Sequence, residues 1–268
     1  MFFDAARACL AESDPDRKCA LTHALFAALQ AGTSHADSSA PGVSLDTPGR
    51  PSRPELVAPR DLRRRALGSV AGRAALLHAL AHIEFNAINL AWDAVCRFGG
   101  MPEGYYRDWA RVADEEAVHF QLLRARLRAL GHDYGDFPAH DGLWEMALKT
   151  RDDVLLRMAL VPRVLEARGL DVTPGMIERL REAGDADSVA VLNIILRDEI
   201  GHVAIGTRWF RHACAQRGLE PEETFTALLA EHMRGRIRGP FHREAREQAG
   251  FSAAELDGLE GLDKAGER

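Results

Sequence analysis

The sequence has few cysteines, and it lacks both long apolar runs and the two-residue alternation that marks β-strands. Its four cysteines lie far apart without CxxC spacing, at Cys9, Cys19, Cys96 and Cys214. This pattern favours free thiols over a disulfide framework. No apolar run approaches the roughly 20 residues that cross a bilayer, and the start MFFDAARACL lacks the basic region of a signal peptide. We therefore expect a cytoplasmic protein that does not enter a membrane.

An excess of positive charge is also missing, since the formal net charge is −6. The surface as a whole therefore does not have the basic character of a nucleic-acid-binding protein. Two local basic runs, at residues 60–65 and 234–243, could still contact the phosphates of an RNA. The alternative is that these arginines are solvated or pair with acidic side chains of the same chain.

Proline, serine and glycine are concentrated in residues 31–60, which hold five of the twelve prolines. This composition predicts an extended arm without regular structure. Residues 4–30, which precede the arm, have the periodicity of a helix, with Asp14-Pro15 as a possible start signal. The apolar content of 46% is ample for a buried core in the remainder of the chain.

Helical periodicity begins after Ser69, a possible N-cap, and continues to the end of the chain. The sequence therefore predicts an all-α fold with essentially no β-sheet. Four long helices are expected at 70–98, 102–130, 152–169 and 186–217, and shorter ones at 142–149, 174–183 and 221–234. Pro162 lies inside the third long helix and should disturb it, because proline removes a backbone hydrogen bond.

These features divide the chain into three parts. Residues 1–68 would form an N-terminal helix and the arm, both packed on the bundle. Residues 69–218 would form a four-helix bundle, with a crossover between its second and third long helices. Residues 219–268 would form a C-terminal helical extension.

One motif, Glu-x-x-His, occurs in two of the predicted long helices, and a single glutamate on the preceding long helix comes before each copy. The two sets are Glu84, Glu116 and His119, and Glu166, Glu199 and His202. The single glutamate precedes its motif by 32 residues in the first set and by 33 in the second. One such motif is expected by chance, but this two-fold repeat of a whole set is not.

The six residues interrupt apolar helix faces, where charged side chains are unusual. Four buried carboxylates would repel one another and lose their hydration. Two divalent cations would neutralise them. Carboxylate oxygens with one imidazole per ion suit iron or manganese, whereas a zinc site more often has further nitrogen or sulfur ligands. The expected cofactor is a pair of iron ions, and a manganese or mixed manganese–iron pair also fits.

Two acidic residues adjoin the motifs. Glu115 precedes Glu116, and Asp198 precedes Glu199. A histidine that binds a metal usually donates its other N–H to a carboxylate or a carbonyl. Asp198 could hold His119 in this way, and Glu115 could hold His202. The alternative is that both carboxylates are solvated or paired on the flank of their helix.

This residue set resembles that of the ferritin-like di-iron superfamily, which includes ribonucleotide reductase small subunits, multicomponent monooxygenases and a di-iron tRNA hydroxylase. Stretches such as LLHALAHIEFNAINLAWDAVCRF and IILRDEIGHVAIGTRWF are more closely similar to an uncharacterised bacterial family described as ferritin-like. The resemblance implies a ferritin-like bundle with the six residues as metal ligands. Leu123 occupies the position of the radical-forming tyrosine of the reductases, which argues against a similar radical enzyme.

The function that this resemblance implies is activation of dioxygen at a reduced di-iron centre, which would hydroxylate or otherwise oxidise an organic substrate. The substrate would be a small molecule or an RNA base, and a separate electron donor would be required. The residues themselves leave two alternatives open. One is an iron-binding or ferroxidase protein without an organic substrate, and the other is a structural bundle that has lost its metal.

Overall fold

The computed structural model describes residues 2–36, 42, 45–62 and 65–265, and these residues form an all-α protein. No strand occurs among them, and their one β-contact is an isolated bridge between Leu56 and Ala139. The predicted fold class is therefore confirmed. The helices are α1 (Phe2–Ala11), α2 (Pro15–Gln30), α3 (Val70–Arg97), α4 (Glu103–Ala129), α5 (Gly142–Lys149), α6 (Val154–Leu160), α7 (Ala167–Glu182), α8 (Ala186–Gln216), α9 (Pro221–His232), α10 (Arg243–Gln248) and α11 (Ala253–Ala265).

The chain divides into two compact units. The first comprises Met1–Leu148 and Arg179–Val191, and the second comprises Lys149–Glu178 and Leu192–Arg268. Two helices, α7 and α8, contribute residues to both units. The three parts expected from the sequence, 1–68, 69–218 and 219–268, rest on composition and periodicity and stay a prediction.

The centre of the first unit is the hairpin of α3 and α4. Ser69 caps α3, because its side-chain oxygen accepts a hydrogen bond from the Gly72 N–H at 3.0 Å. Gly100, with φ of +74°, lies in the short turn between the two helices, and Pro102 is the N-cap of α4. The turn is too short for anything but an antiparallel hairpin. Residues 84–96 of α3 are buried without exception, and both α4 and α1 pack on this helix.

The predicted single helix over residues 4–30 is wrong, since two helices, α1 and α2, occupy this region. Asp14 caps α2 by accepting a hydrogen bond from the Arg17 N–H, and Pro15 begins the helix. Lys18 then holds the helical pair together. Its buried ammonium group donates to the carbonyls of Cys9 and Leu10, at 2.7 and 3.0 Å. It also donates to the side-chain oxygen of Asn89 in α3, at 2.7 Å.

The described part of the arm packs on the first unit. Apart from a 3₁₀ turn at Pro59–Asp61 and the isolated bridge, it has no regular secondary structure. Arg50 pairs with Asp141 at 2.7 Å, and the Trp144 indole donates to the carbonyl of Asp46 at 3.0 Å. Residues 37–41, 43 and 44, for which an extended arm was also predicted, lie outside the described residues.

The predicted break between helices at 152–169 and 174–183 is wrong. The chain continues from α6 through a π-helical segment, Val161–Glu166, into α7, which contains Pro174. Proline cannot donate to the carbonyl of Leu170, and this lost hydrogen bond usually ends a helix. Here the helix continues because Leu170 and Ile177, on either side of the proline, are buried. Tertiary packing outweighs the local signal.

The irregularity expected at Pro162 is this π-helical segment, which contains Pro162 and ends at Glu166. A π-turn holds one residue more than an α-turn and therefore changes the direction of the side chains that follow. Gly206 in α8 allows the proline to approach closely, because a methyl group at Gly206 would overlap the ring of Pro162. Both residues belong to the second unit.

The four cysteines are free, as predicted, and all four are buried. Among the described residues, no helix has the length and the apolar character that a membrane span requires.

The contact between Gly206 and Pro162 predicts a stability difference between two glycine substitutions. Gly206→Ala should destabilise the protein by about 1–2 kcal/mol, because overpacking outweighs the higher helix propensity of alanine. Gly169→Ala in α7 is the matched control, since a methyl group there meets open space. The control should be neutral or more stable by up to about 1 kcal/mol. Urea denaturation of both variants measures the difference. Equal stability of the two would contradict the close approach.

Candidate metal centre

The first predicted set, Glu84, Glu116 and His119, lies together in the core of the first unit. Glu84 is 4% exposed, and Glu116 and His119 have no exposed surface. The His119 Nδ1 atom lies 3.3 Å from a carboxylate oxygen of Glu116 and 3.7 Å from one of Glu84. Each residue offers one ligand atom, and these atoms are all within 4.8 Å of one another. The group could therefore hold a metal ion.

The hairpin explains why these three residues meet. Glu84 lies 13 residues before Arg97, where α3 ends, and Glu116 lies 13 residues after Glu103, where α4 begins. At about 1.5 Å per residue, both glutamates lie roughly 20 Å from their shared turn. His119 follows Glu116 by three residues, just under one helical turn, so both side chains point the same way. Because the two glutamates are equally far from the turn of an antiparallel helix pair, Glu84 of α3 lies level with the Glu-x-x-His motif of α4.

The distances between these ligand atoms suit a coordinated cation. With metal–ligand bonds of about 2.1 Å and angles of about 90–120°, neighbouring ligand atoms are about 3.0–3.6 Å apart. The separations from His119 Nδ1, at 3.3 and 3.7 Å, lie in or just above this interval. The atom that faces the carboxylates is Nδ1, which identifies the nitrogen that would bind the ion.

The electrostatics of this group also favour a cation. Burial lowers the pKa of the His119 imidazole, but hydrogen bonds and charge interactions with Glu116 and Glu84 raise it, and the net result is a pKa of about 11. The two carboxylates thus hold a positive charge at this point even against desolvation. The same field would act on a divalent metal ion, which would replace the proton on Nδ1.

The second predicted set lies in the second unit. Glu199 and His202 are buried on α8, and His202 Nδ1 lies 3.7 Å from a carboxylate oxygen of Glu199. Glu166, the last residue of the π-helical segment, is half-buried. The motif of this set thus has the same Nδ1-to-carboxylate arrangement as the motif of the first unit.

The two acidic neighbours have arginine partners. Glu115 accepts a hydrogen bond from Arg111 Nε at 2.8 Å, and Asp198 accepts one from Arg197 Nε at 2.8 Å. These contacts agree with the alternative that both carboxylates are paired on the flank of their helix. Their predicted contacts with the two imidazoles stay a prediction.

Tyr134 is an aromatic neighbour of the first set that the sequence analysis did not identify. Its ring lies 5.5 Å from that of Phe85 and 5.1 Å from that of Phe120, the residues that follow Glu84 and His119. Burial lowers the pKa of His82 to about 4, and the Nδ1 atom of this ring lies within hydrogen-bond distance, 2.9 Å, of the Tyr134 hydroxyl. Tyr134 comes from a loop, where no periodicity indicates which side chains turn inward.

Comparison with known proteins gives a family without an assigned activity. A family described as a protein of unknown function, DUF455, matches residues 11–257. An uncharacterized protein of Haemophilus influenzae is 45% identical over 276 residues, and the match covers 96% of this chain and 92% of that protein. No solved structure matches. Membership of the ferritin-like superfamily stays a prediction, but the extent of these matches shows that the chain belongs to the DUF455 family of proteins of unknown function.

Proposed function

We propose that the chain is a ferritin-like di-iron protein that uses dioxygen to oxidise an organic substrate. One ion would be held by Glu84, Glu116 and His119. The second would be held by the equivalent set of Glu166, Glu199 and His202. The observation that carries the proposal is the fully buried group around His119 Nδ1, with two carboxylate oxygens within 3.7 Å.

The ligand types support iron or manganese over zinc and copper. Each set contributes two carboxylates and one neutral imidazole, so a divalent ion in each set would leave the pair of sets neutral. Hard carboxylate oxygens favour iron and manganese, whereas the cysteines that would favour zinc or copper are absent from both sets. An iron pair is the first choice, and manganese or a mixed pair has the same ligand preferences.

A reduced iron pair would supply electrons to dioxygen. Hydroxylation of a C–H bond by one O₂ molecule also consumes two electrons and two protons, and it yields one hydroxyl group and one water. A separate electron donor must therefore interact with the protein during turnover. The residues of the chain would bind the ions, exclude bulk water and keep the oxidant away from the protein itself.

The packing around His119 suits that protective role. Leu123, one turn further along α4, has no exposed surface and presents an aliphatic side chain that is hard to oxidise. Phe120, the residue after His119, is also buried. These two positions offer no phenol to an oxidant, which supports oxidation of a bound molecule. The one phenol described near them is that of Tyr134, whose ring lies 5.1 Å from the Phe120 ring.

An RNA substrate is the weaker form of the proposal. In the run at 60–65, Arg63 and Arg64 lie outside the described residues, and the Arg65 guanidinium packs over the Phe137 ring at 5.2 Å. In the run at 234–243, Arg243 pairs with both Asp257 and Glu260, at 3.0 and 2.7 Å. Some of these arginines thus have partners within the chain, which favours a small organic substrate.

Metal content tests the ligand sets. Protein purified anaerobically with added iron should contain about two ions per chain, and His119→Ala and His202→Ala should each lose metal because one nitrogen ligand is gone. His132→Ala is the matched control, since this half-buried histidine lies outside both sets. Added iron should raise the melting temperature of the wild type and the control more than that of the two variants. Full metal content in both variants, measured by elemental analysis, would remove these histidines from the site.

The reaction with dioxygen tests the function. Stopped-flow mixing of the iron(II)-loaded protein with oxygen should give rapid oxidation of bound iron, followed by optical and Mössbauer spectroscopy. The His119→Ala variant should react at least about tenfold more slowly, because an incomplete ligand set stabilises the oxidised ions less. Inertness of the loaded wild-type protein would disprove the oxygenase proposal. Rapid oxidation that ends only in mineral iron would instead favour the ferroxidase alternative.

A further inference from the structure

The second unit contains a cleft of about 150 Å³ that is lined mainly by arginines and apolar side chains. Its walls come from the π-helical segment, the start of α7, the loop at 233–241, α10 and α11. No residue of the two metal-ligand sets lines it. The cleft is therefore a different feature from the proposed metal site.

The lining of the cleft is strongly positive. Among the residues that the structure describes, five arginines and one acidic residue, Asp171, line it. The arginines are Arg163, Arg168, Arg236, Arg238 and Arg246. Such a concentration of guanidinium groups in one small cleft creates a potential that attracts an anion.

Two of the arginines are buried and held in fixed orientations. The Arg246 guanidinium donates to both carboxylate oxygens of Asp171, at 2.9 and 2.7 Å. Arg163 donates to Glu255 at 2.7 Å, and three phenylalanine rings surround its guanidinium at 4.0–4.7 Å. A fixed guanidinium loses little conformational freedom when it binds a ligand.

Arg246 retains binding capacity after these contacts. Its Nη1 atom is buried, and no hydrogen-bond acceptor lies within reach of it among the described residues. Buried N–H groups nearly always have an acceptor, so this one, on a residue that lines the cleft, is a candidate donor to a bound ligand. Arg163 has two further buried nitrogens, Nε and Nη1, that lack hydrogen-bond acceptors within the described part of the chain. Phenylalanine rings lie near both guanidinium groups, three around Arg163 and two at 5.1 and 5.5 Å from Arg246, and they compensate these nitrogens in part.

The loop at 233–241, which forms one wall of the cleft, is held in place by hydrogen bonds from α7. Arg168 donates hydrogen bonds to the carbonyls of Arg238, Gly239 and Pro240, at 2.8–3.2 Å. The His242 N–H donates to Asp171 at 2.9 Å. The cleft is therefore preorganised, and Arg236 projects from this supported loop as an exposed cation at its rim.

The remaining walls are apolar. They include Val164 and Leu165 of the π-helical segment, together with Met233, Ile237 and Phe241. An inorganic anion alone would make no use of this surface, whereas the carbon skeleton of an organic anion would bury against it.

We propose that this cleft binds the phosphate group of a small organic molecule. Guanidinium groups that approach from several directions match the oxygens of a tetrahedral phosphate, whereas a planar carboxylate is satisfied by one bidentate arginine. The small volume suits a single phosphate with a short organic substituent and not a nucleic-acid strand. Val164 and Leu165 immediately precede Glu166, so the ligand would lie against the segment that carries this predicted metal ligand. The inference goes beyond the proposed oxidation chemistry and does not depend on it.

Calorimetric titration of the full-length purified protein with inorganic phosphate and with phenyl phosphate tests the proposal. Both should bind, and phenyl phosphate should bind more tightly because its ring contacts the apolar wall. Arg236→Gln should weaken binding of both by about fivefold to tenfold, since a charge-assisted hydrogen bond is lost at an exposed rim position. Arg234→Gln is the matched control, because Arg234 is exposed on the same loop but does not line the cleft. It should bind as the wild type does.

Absence of binding for both compounds at about 10 mM would overturn the proposal. Equal weakening in Arg234→Gln would also overturn it, because the effect would then be general electrostatics. Tighter binding of inorganic phosphate than of phenyl phosphate would contradict an organic ligand and indicate that the cleft binds the free ion. Binding of an oligoribonucleotide that Arg236→Gln weakens to the same extent would contradict a small-molecule ligand and indicate that the cleft binds nucleic acid. The His119→Ala variant should still bind phenyl phosphate. The metal-site proposal and the phosphate-binding proposal can therefore be disproved separately.

Discussion

Two buried carboxylates cannot remain ionised in a protein core without a positive charge between them, and the first unit is organised around this constraint. Removing a carboxylate from water costs several kcal/mol. Glu84 and Glu116 face the Nδ1 atom of His119 and raise the pKa of its imidazole, and a metal ion bound there would supply the positive charge instead. Both glutamates lie 13 residues from the hairpin turn, so only long helices bring them to this point. The α3–α4 hairpin must also be shielded from solvent, and α1 and α2 contribute to this by packing on α3 and α4.

The second unit meets a similar requirement with a less regular backbone. Glu166, the glutamate of this ligand set that lies outside the Glu-x-x-His motif, ends a π-helical segment. Such segments often occur where a functional side chain must be redirected. Pro162 in this segment packs against Gly206, and Arg163 is held by Glu255 and three phenylalanines. The C-terminal helices α10 and α11 therefore do more than extend the unit. They hold the segment that carries Glu166 and complete the arginine-lined cleft.

Local signals predicted the parts of the fold in which neighbours along the chain supply the interactions. Ser69 as a cap, the glycines after α3 and the limits of α8 to within one residue all agree with the structure. The errors arose where distant contacts outweigh local ones. Pro174 does not end α7, because buried side chains on both sides of it hold the helix together. The break between α1 and α2 has only a local start signal, the Asp14 cap of α2, and no glycine or proline marks the end of α1.

The sequence by itself determined the helical class and the two sets of candidate ligands. Both follow from spacing: three residues make nearly one turn, so a motif on one helix points both of its side chains the same way. Only the tertiary structure decided which nitrogen of His119 faces the carboxylates, that Tyr134 packs beside the first set, and that Arg163 and Arg246 share a cleft. These arginines lie 83 residues apart, on either side of α7, α8 and α9. No periodicity relates residues so far apart, because their proximity depends on how whole helices pack.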